Sequence, residues 1–254
     1  MSEEPEKRNA SYKKWVVAII EVRDLVNCYG DFTADGFYLL DGQPAICTRQ
    51  DAPHEDLISH LLAQGYRDSE VLTECVTFGT AGVVTTREFI CVAAWHLIER
   101  PELRARFLAG TEDDRYRLLH EILRLEPVVQ HIYRRTLDEV HLESQGDIVV
   151  IPPGELIDVH VAPVDADESV VGEEPLAVCP GRTLAIAGIS PSVMGFGDGH
   201  HRCAGEFVAI QEADIFLQRL LALPGLRITR EPDVSWNVIS TGYELRAFRV
   251  AIDG

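Results

Sequence analysis

Basic residues are scarce in this sequence, as are long apolar runs and paired cysteines. Lysine and arginine number 23 against 41 aspartate and glutamate, which gives a formal charge of −18. Such a charge repels phosphate backbones and anionic lipid surfaces, so nucleic acid and membranes are not expected partners. The apolar run from Trp15 to Ile20 is far shorter than the roughly 20 residues of a membrane helix, and no leader pattern opens the chain.

The six cysteines include no CxxC pair, which is typical of reduced thiols in a cytoplasmic protein. With 254 residues, 46% of them hydrophobic, the chain is long enough to bury a full core. We therefore expect a soluble, cytoplasmic, globular protein.

Apolar periodicity and helix boundary residues predict a mainly helical chain. Six helices are expected: one over Tyr12–Asn27, a short one ending at Gly65, a mostly buried one from Ser69 to Arg100, one from Pro101 to Ala109, one ending near Glu126, and one from Ala204 to Leu221. Segments on either side of the turn SQGD are predicted to be strands. Turn formers predict no regular structure over 41–56, and 161–193 lacks a clear pattern.

A glycine-rich loop carries the most reactive side chain. Gly195, Gly197, Gly199 and Gly205 suit tight turns and the close approach of a flat ligand, and Cys203 lies just before a predicted helix, whose free N–H groups favour a thiolate. That thiolate would be a metal ligand or a nucleophile. A buried structural cysteine is the alternative, and a zinc site with His200 and His201 lacks a second ligand pair.

The same loop resembles a known signature. Phe196, Gly197, Gly199, His201, Cys203 and Gly205 fill the pattern FGxGxHxCxG, which resembles the heme-binding loop of the cytochrome P-450 family. Three further elements of that family have similar segments here. Glu121 and Arg124 match its ExxR pair, and Arg182 matches its meander arginine. Its oxygen-binding helix is matched by Ala81, Gly82, Thr85 and Thr86. The resemblance implies a mainly α fold with a small β-sheet, limited to the family's C-terminal portion, with a heme domain over 51–254 and an N-terminal segment 1–50 of uncertain match.

The resemblance also implies residue roles. Cys203 would be the axial ligand of heme iron, favouring O–O heterolysis. Ala81, Gly82 and the signature residues would contact heme, with His201 and Arg134 on its propionates. Glu121, Arg124 and Arg182 would form a structural ion network, and Thr85 and Thr86 would act in catalysis on the distal side.

Three functions are compatible with these residues. The first is a heme-thiolate oxidoreductase acting on a small apolar metabolite, driven by dioxygen with a ferredoxin-type donor or by peroxide; Val84, at the family's usual carboxylate position, favours peroxide. The second is a noncatalytic partner or activator subunit, and the third is a heme-binding sensor. We also expect a homodimer or a partner chain, with the apolar residues of Tyr12–Asn27 buried against the heme domain or across that interface.

Overall fold

The computed structural model describes residues 42–144, 146–238 and 240–252. The predicted helix Tyr12–Asn27 lies outside these residues. The chain divides into two compact units, the first comprising residues up to Val84 with Phe207–Glu212, and the second Thr85–Glu206 with Ala213–Gly254.

The first unit begins with two short helices, α1 (Gly42–Asp51) and α2 (Leu57–Ala63). Asp56 caps α2 by accepting the Ser59 N–H at 2.9 Å, and this helix was predicted. Helix α1 corrects the expectation of an irregular segment. Its Ile46 is buried with Ile58, Leu61 and Val71, so tertiary packing outweighs the turn-forming composition, and Pro44 lies in the first turn, where no N–H is needed.

Helix α3 (Asp68–Glu99) is the predicted long helix. The expectation that it is mostly buried is wrong for its middle, because Ala81, Gly82 and Val83 are exposed, whereas Phe89, Val92, Ala93 and Leu97 are buried. Apart from the adjacent residues and the nearby backbone of α3 itself, no described atom lies within 4 Å of a β-carbon built at Gly79 or Gly82. By length and composition α3 could cross a bilayer, but the core helix of a soluble protein has the same properties.

The second unit begins in α3 and continues with α4 (Pro101–Ala109) and α5 (Glu112–Leu125), both predicted. Pro101 lies at the first position of α4, where its missing N–H costs nothing. Thr111 and Asp114 form a capping box at the start of α5. The buried apolar residues of α5 are Leu118, Leu119, Ile122 and Leu123.

In the described part of the second unit, eight short strands form antiparallel pairs. β1 (His131–Arg135) pairs with β4 (Leu156–His160), and β2 (Val140–Ser144) with β3 (Asp147–Ile151), which confirms strands around the SQGD turn. β5 (Leu226–Arg230) pairs with β8 (Arg249–Ile252), and β6 (Asp233–Asn237) with β7 (Gly242–Arg246). A β-carbon at Gly242 would lie 1.8 Å from the Val128 carbonyl oxygen, so this close approach of two backbones requires glycine.

Two short helices interrupt the stretch 161–193, α6 (Val161–Asp165) and α7 (Glu168–Val171). They were not predicted, and they form because Val161, Asp165 and Val171 are buried and Asp167 caps α7. After a 3₁₀ turn at Gly199–His201, helix α8 runs over Glu206–Leu221, beginning two residues later than predicted.

Candidate functional site

Backbone hydrogen bonds close the loop that carries Cys203. The Cys203 N–H donates to the Phe196 carbonyl at 2.8 Å, and the Gly197 N–H donates to the Met194 carbonyl at 2.8 Å. Gly197 and Gly199 have φ of +69° and +62°, a region that favours glycine. Two glycines of the signature are therefore required by the path of the backbone itself.

Gly195 is a further requirement that the signature does not contain. A β-carbon there would lie 3.1 Å from Cγ of Leu123 and 3.2 Å from the Ser192 carbonyl oxygen. The glycine lets the loop pack directly on α5. Its place in a glycine-rich loop was visible in the sequence, but its packing partner was not.

Cys203 lies just before α8 and is exposed to solvent as a residue, although neighbouring protein atoms partly surround its sulfur. Burial of the sulfur raises the pKa of the Cys203 thiol, and the charge of Glu206 raises it further, whereas N–H groups of Gly205 and Glu206 bonded to the sulfur lower it. The amide N–H groups therefore act in the expected direction and favour the thiolate, but burial and the charge of Glu206 outweigh them, so the net shift of the Cys203 pKa is upward. A bound metal ion would itself remove the proton.

The side chain of Glu206 is buried beneath the loop. It forms an ion pair with Arg202 at 2.8 Å and lies 3.4 Å from the Ser190 hydroxyl. His120 meets the Phe196 ring edge-on at a centroid distance of 6.0 Å. Burial lowers the pKa of His120, so this imidazole is held neutral against the loop.

The predicted ion network is present. Arg124 donates to both carboxylate oxygens of Glu121, at 2.9 and 2.8 Å, and Arg182 lies 3.3 Å from Glu121. Arg182 also donates to backbone carbonyls of the meander segment (170–182), namely those of Val171, Glu173, Glu174 and Ala177. The network therefore holds this segment against α5, as the resemblance implies.

Asp165 links this network to the cysteine loop, and sequence reasoning missed it. Its backbone carbonyl accepts from Arg124 at 2.7 Å, and its carboxylate accepts the Met194 N–H at 2.7 Å. Burial raises the pKa of Asp165 to about 7, although Met194 and Arg124 both act to lower it. A single aspartate in an irregular segment carries no signal that would have identified it.

The remaining predicted residues lie at several places. Ala81 and Gly82 are exposed on the part of α3 that belongs to the first unit, while Thr85 and the buried Thr86 begin the second unit. In the second unit, His201 is exposed on the 3₁₀ turn and Arg134 is exposed on β1, where it donates to the Tyr133 carbonyl. Their assignments to heme stay predictions.

The donor set at Cys203 suits heme rather than zinc. Among the described residues, the His, Cys, Asp and Glu side chains that could together hold one ion are those of His131, Asp158 and His160, a group without Cys203. Cys203 thus offers a single exposed sulfur, supported by backbone amides, in a loop whose glycines leave room for a flat ligand. A heme iron needs one such protein ligand, whereas a structural zinc site needs four.

Comparison with known proteins also indicates a heme-binding family. The cytochrome P450 family model matches residues 117–223. Among curated proteins, cytochrome P450 107B1 of Saccharopolyspora erythraea is 30% identical, and the match covers 78% of this chain and 49% of the relative. The biotin biosynthesis cytochrome P450 of Bacillus subtilis is 24% identical, and the match covers 91% of this chain and 57% of the relative. The chain belongs to the cytochrome P450 superfamily, whose members bind heme.

Solved structures share the fold. CYP164A2 of Mycobacterium smegmatis, solved with econazole bound, aligns with a TM-score of 0.66 and 27% identity, over 83% of this chain and 50% of its own. CYP109B1 of Bacillus subtilis aligns with a TM-score of 0.71 and 24% identity, over 99% of this chain and 61% of its own. The chain thus spans about half the length of the relatives that it matches.

Proposed function

We propose that the chain is a heme-thiolate oxidoreductase that oxidises a small apolar metabolite. The observation that carries the proposal is Cys203, an exposed sulfur that accepts backbone N–H bonds at the start of α8 within a complete signature. Heme, when bound, would supply the oxidation chemistry. The residues of this chain would bind it, orient it and handle protons.

The cysteine loop and the ion network of the second unit each have a role in this proposal. Cys203 would ligate the iron, and the amides of Gly205 and Glu206 would orient its sulfur and limit its charge. Gly197 and Gly199 would let the backbone approach the porphyrin. The network of Glu121, Arg124 and Arg182 would fix the preceding segment without taking part in the chemistry.

The distal residues would handle protons. The hydroxyl of Thr85 would hold a water molecule or hand on a proton, and Thr86, which is buried, would position that part of α3. Val84 carries no proton, whereas a carboxylate at its position would carry one. We therefore favour peroxide as the oxidant over dioxygen with a ferredoxin-type donor.

Partners, location and domain boundary stay predictions. P450BioI has been solved in complex with acyl carrier protein ligated to hexadec-9Z-enoic acid, and an acyl chain presented by a carrier is a substrate to test with this protein too. The cytoplasmic location, the homodimer or partner chain, and the heme domain over 51–254 are further parts of the proposal. A noncatalytic subunit is the second candidate, but a pure scaffold would not need the amide-supported sulfur of Cys203.

The absorption spectrum of the reduced protein under carbon monoxide tests the proposal. We expect the wild type to give a thiolate-type spectrum and Cys203→Ser to lose it, because the serine hydroxyl does not replace a thiolate on iron. Cys179→Ser is the matched control, since it also removes an exposed cysteine of the second unit. A wild type without heme absorbance, or identical spectra for wild type and Cys203→Ser, would overturn the ligand assignment.

A further inference from the structure

Three potential metal ligands meet on the β1–β4 pair, away from the cysteine loop in the sequence. His131 is the register partner of His160, and Tyr133 is the partner of Asp158. Side chains alternate along a strand, and directly opposite residues share a face of the sheet. His131, Asp158 and His160 therefore project from one face, and Arg134 projects from the other.

The ligand atoms of these three residues converge. Nδ1 of His131 lies 2.9 Å from Oδ2 of Asp158, and Nε2 of His160 lies 3.0 Å from the same oxygen. All three ligand atoms lie within 4.8 Å of one another. Both imidazoles thus present a nitrogen to a single carboxylate oxygen.

Aromatic rings hold the first histidine in place. The rings of His131 and His160 are 4.4 Å apart between centroids, and the indole of Trp236 meets His131 edge-on at 5.4 Å. His131 and Asp158 are 25% and 32% exposed, whereas His160 is 57% exposed. The cluster is therefore supported from one side and open to solvent on the other.

We propose that His131, Asp158 and His160 bind a divalent first-row cation of the Zn²⁺ type, with water in the remaining coordination position. Two imidazoles and one carboxylate are ligands that Zn²⁺ takes at about 2.0–2.2 Å, which places ligand atoms about 3.3 Å apart in a tetrahedral site. Here Oδ2 of Asp158 lies 2.9 Å from Nδ1 of His131 and 3.0 Å from Nε2 of His160. Side-chain rotations that lengthen these two distances by a few tenths of an ångström would admit the ion.

The ion would join two strands of the second unit. β1 and β4 are connected through the β2–β3 hairpin, and the cluster lies at the end of the pair, where His131 faces His160. The Zn²⁺ ion would replace the hydrogen bonds between the two imidazoles and Asp158 by coordinate bonds. It would thus stabilise the strand that carries Arg134 on its opposite face.

Equilibrium dialysis of the purified protein against Zn²⁺, with bound metal measured by elemental analysis, tests this site. We expect His160→Ala and Asp158→Asn each to bind about one equivalent less Zn²⁺ than the wild type. His141→Ala is the matched control, because His141 is also exposed and paired with a carboxylate, that of Glu139 at 2.7 Å, but belongs to no three-ligand group among the described residues. It should bind as much Zn²⁺ as the wild type.

X-ray absorption at the zinc edge identifies the ligands independently. We expect nitrogen and oxygen scattering with two imidazoles for the equivalent that His160→Ala loses. Sulfur scattering from that equivalent would place it on cysteines, and equal Zn²⁺ binding by wild type and both variants would leave only the hydrogen-bonded cluster; either result would overturn the proposal. Circular dichroism verifies that the variants are folded. The heme spectrum is recorded separately, so failure of this site and failure of the heme assignment are distinguishable.

Discussion

At the scale of single residues, Asp165 has the most demanding environment. It is fully buried, one carboxylate oxygen accepts the Met194 N–H, and the other, Oδ2, has no hydrogen-bond partner among the described residues. A buried carboxylate without a full set of partners is costly when charged. The proton that Asp165 takes up therefore contributes to the stability of the cysteine loop and the ion network together.

This predicts a specific pH dependence of unfolding. The pKa of Asp165 is raised from 3.8 to about 7, so between these values the folded protein holds a proton that the unfolded chain has released. The resulting stabilisation is complete below pH 3.8 and is lost as the pH rises through about 7, with a total of about 4 kcal/mol. Asp165→Asn keeps an oxygen for the Met194 N–H and cannot titrate, so urea unfolding from pH 4 to pH 8 should show this contribution only in the wild type. The same pH dependence in both proteins would contradict the assignment.

At the scale of elements, Glu121 joins α5 to the meander segment. Its carboxylate accepts from Arg124 and Arg182 and from the backbone N–H of Cys179, all from a buried position. Arg124 is also fully buried. Removing the carboxylate would therefore leave a buried guanidinium charge without its partner.

We expect Glu121→Ala to lower the free energy of unfolding by about 3–5 kcal/mol and to reduce the yield of soluble, heme-loaded protein. Chemical denaturation and the heme absorbance of the purified protein measure the two effects. Arg117→Ala is the control on the same helix, since it removes an exposed ion pair with Asp113 and should change stability little. Equal losses for the two variants would mean that the network adds no more than a surface ion pair.

At the scale of the whole molecule, net charge is a second argument for the proposed preference for peroxide over dioxygen with a ferredoxin-type donor. The net charge of −18 opposes the approach of an acidic ferredoxin at long range. Arg202, the basic residue beside Cys203, is engaged with Glu206 at 2.8 Å, so its charge is partly offset. Peroxide needs no protein docking.

Turnover with each oxidant tests this reasoning. With an apolar probe substrate such as styrene, we expect more product from hydrogen peroxide than from dioxygen with ferredoxin and its reductase. Val84→Asp restores a proton-carrying group beside Thr85 and should raise the share of the dioxygen route, whereas Val84→Ala should not. Ferredoxin-dependent turnover by a wild type that peroxide leaves inactive would reverse the ranking.

Local patterns were sufficient for several elements and for the motif residues. Pro101 and Pro127 mark helix boundaries through backbone chemistry that needs no tertiary partner, and the glycines around Cys203 report backbone conformations that other residues rarely adopt. The spacing of Glu121 and Arg124 likewise predicts their contact on one helix. Such features depend on neighbours a few residues apart.

The sequence by itself thus determined the long helices, the cysteine loop, the ExxR pair and, through them, the family. Only the tertiary structure decided the burial of α1 through Ile46, the raised pKa values of Cys203 and Asp165, and the pairing of β5 with β8. It also brought His131 to Asp158, 27 positions further along the chain. The physical reason is that burial, desolvation and strand register arise from contacts between distant segments, whereas helix boundaries and glycine conformations arise within a single turn.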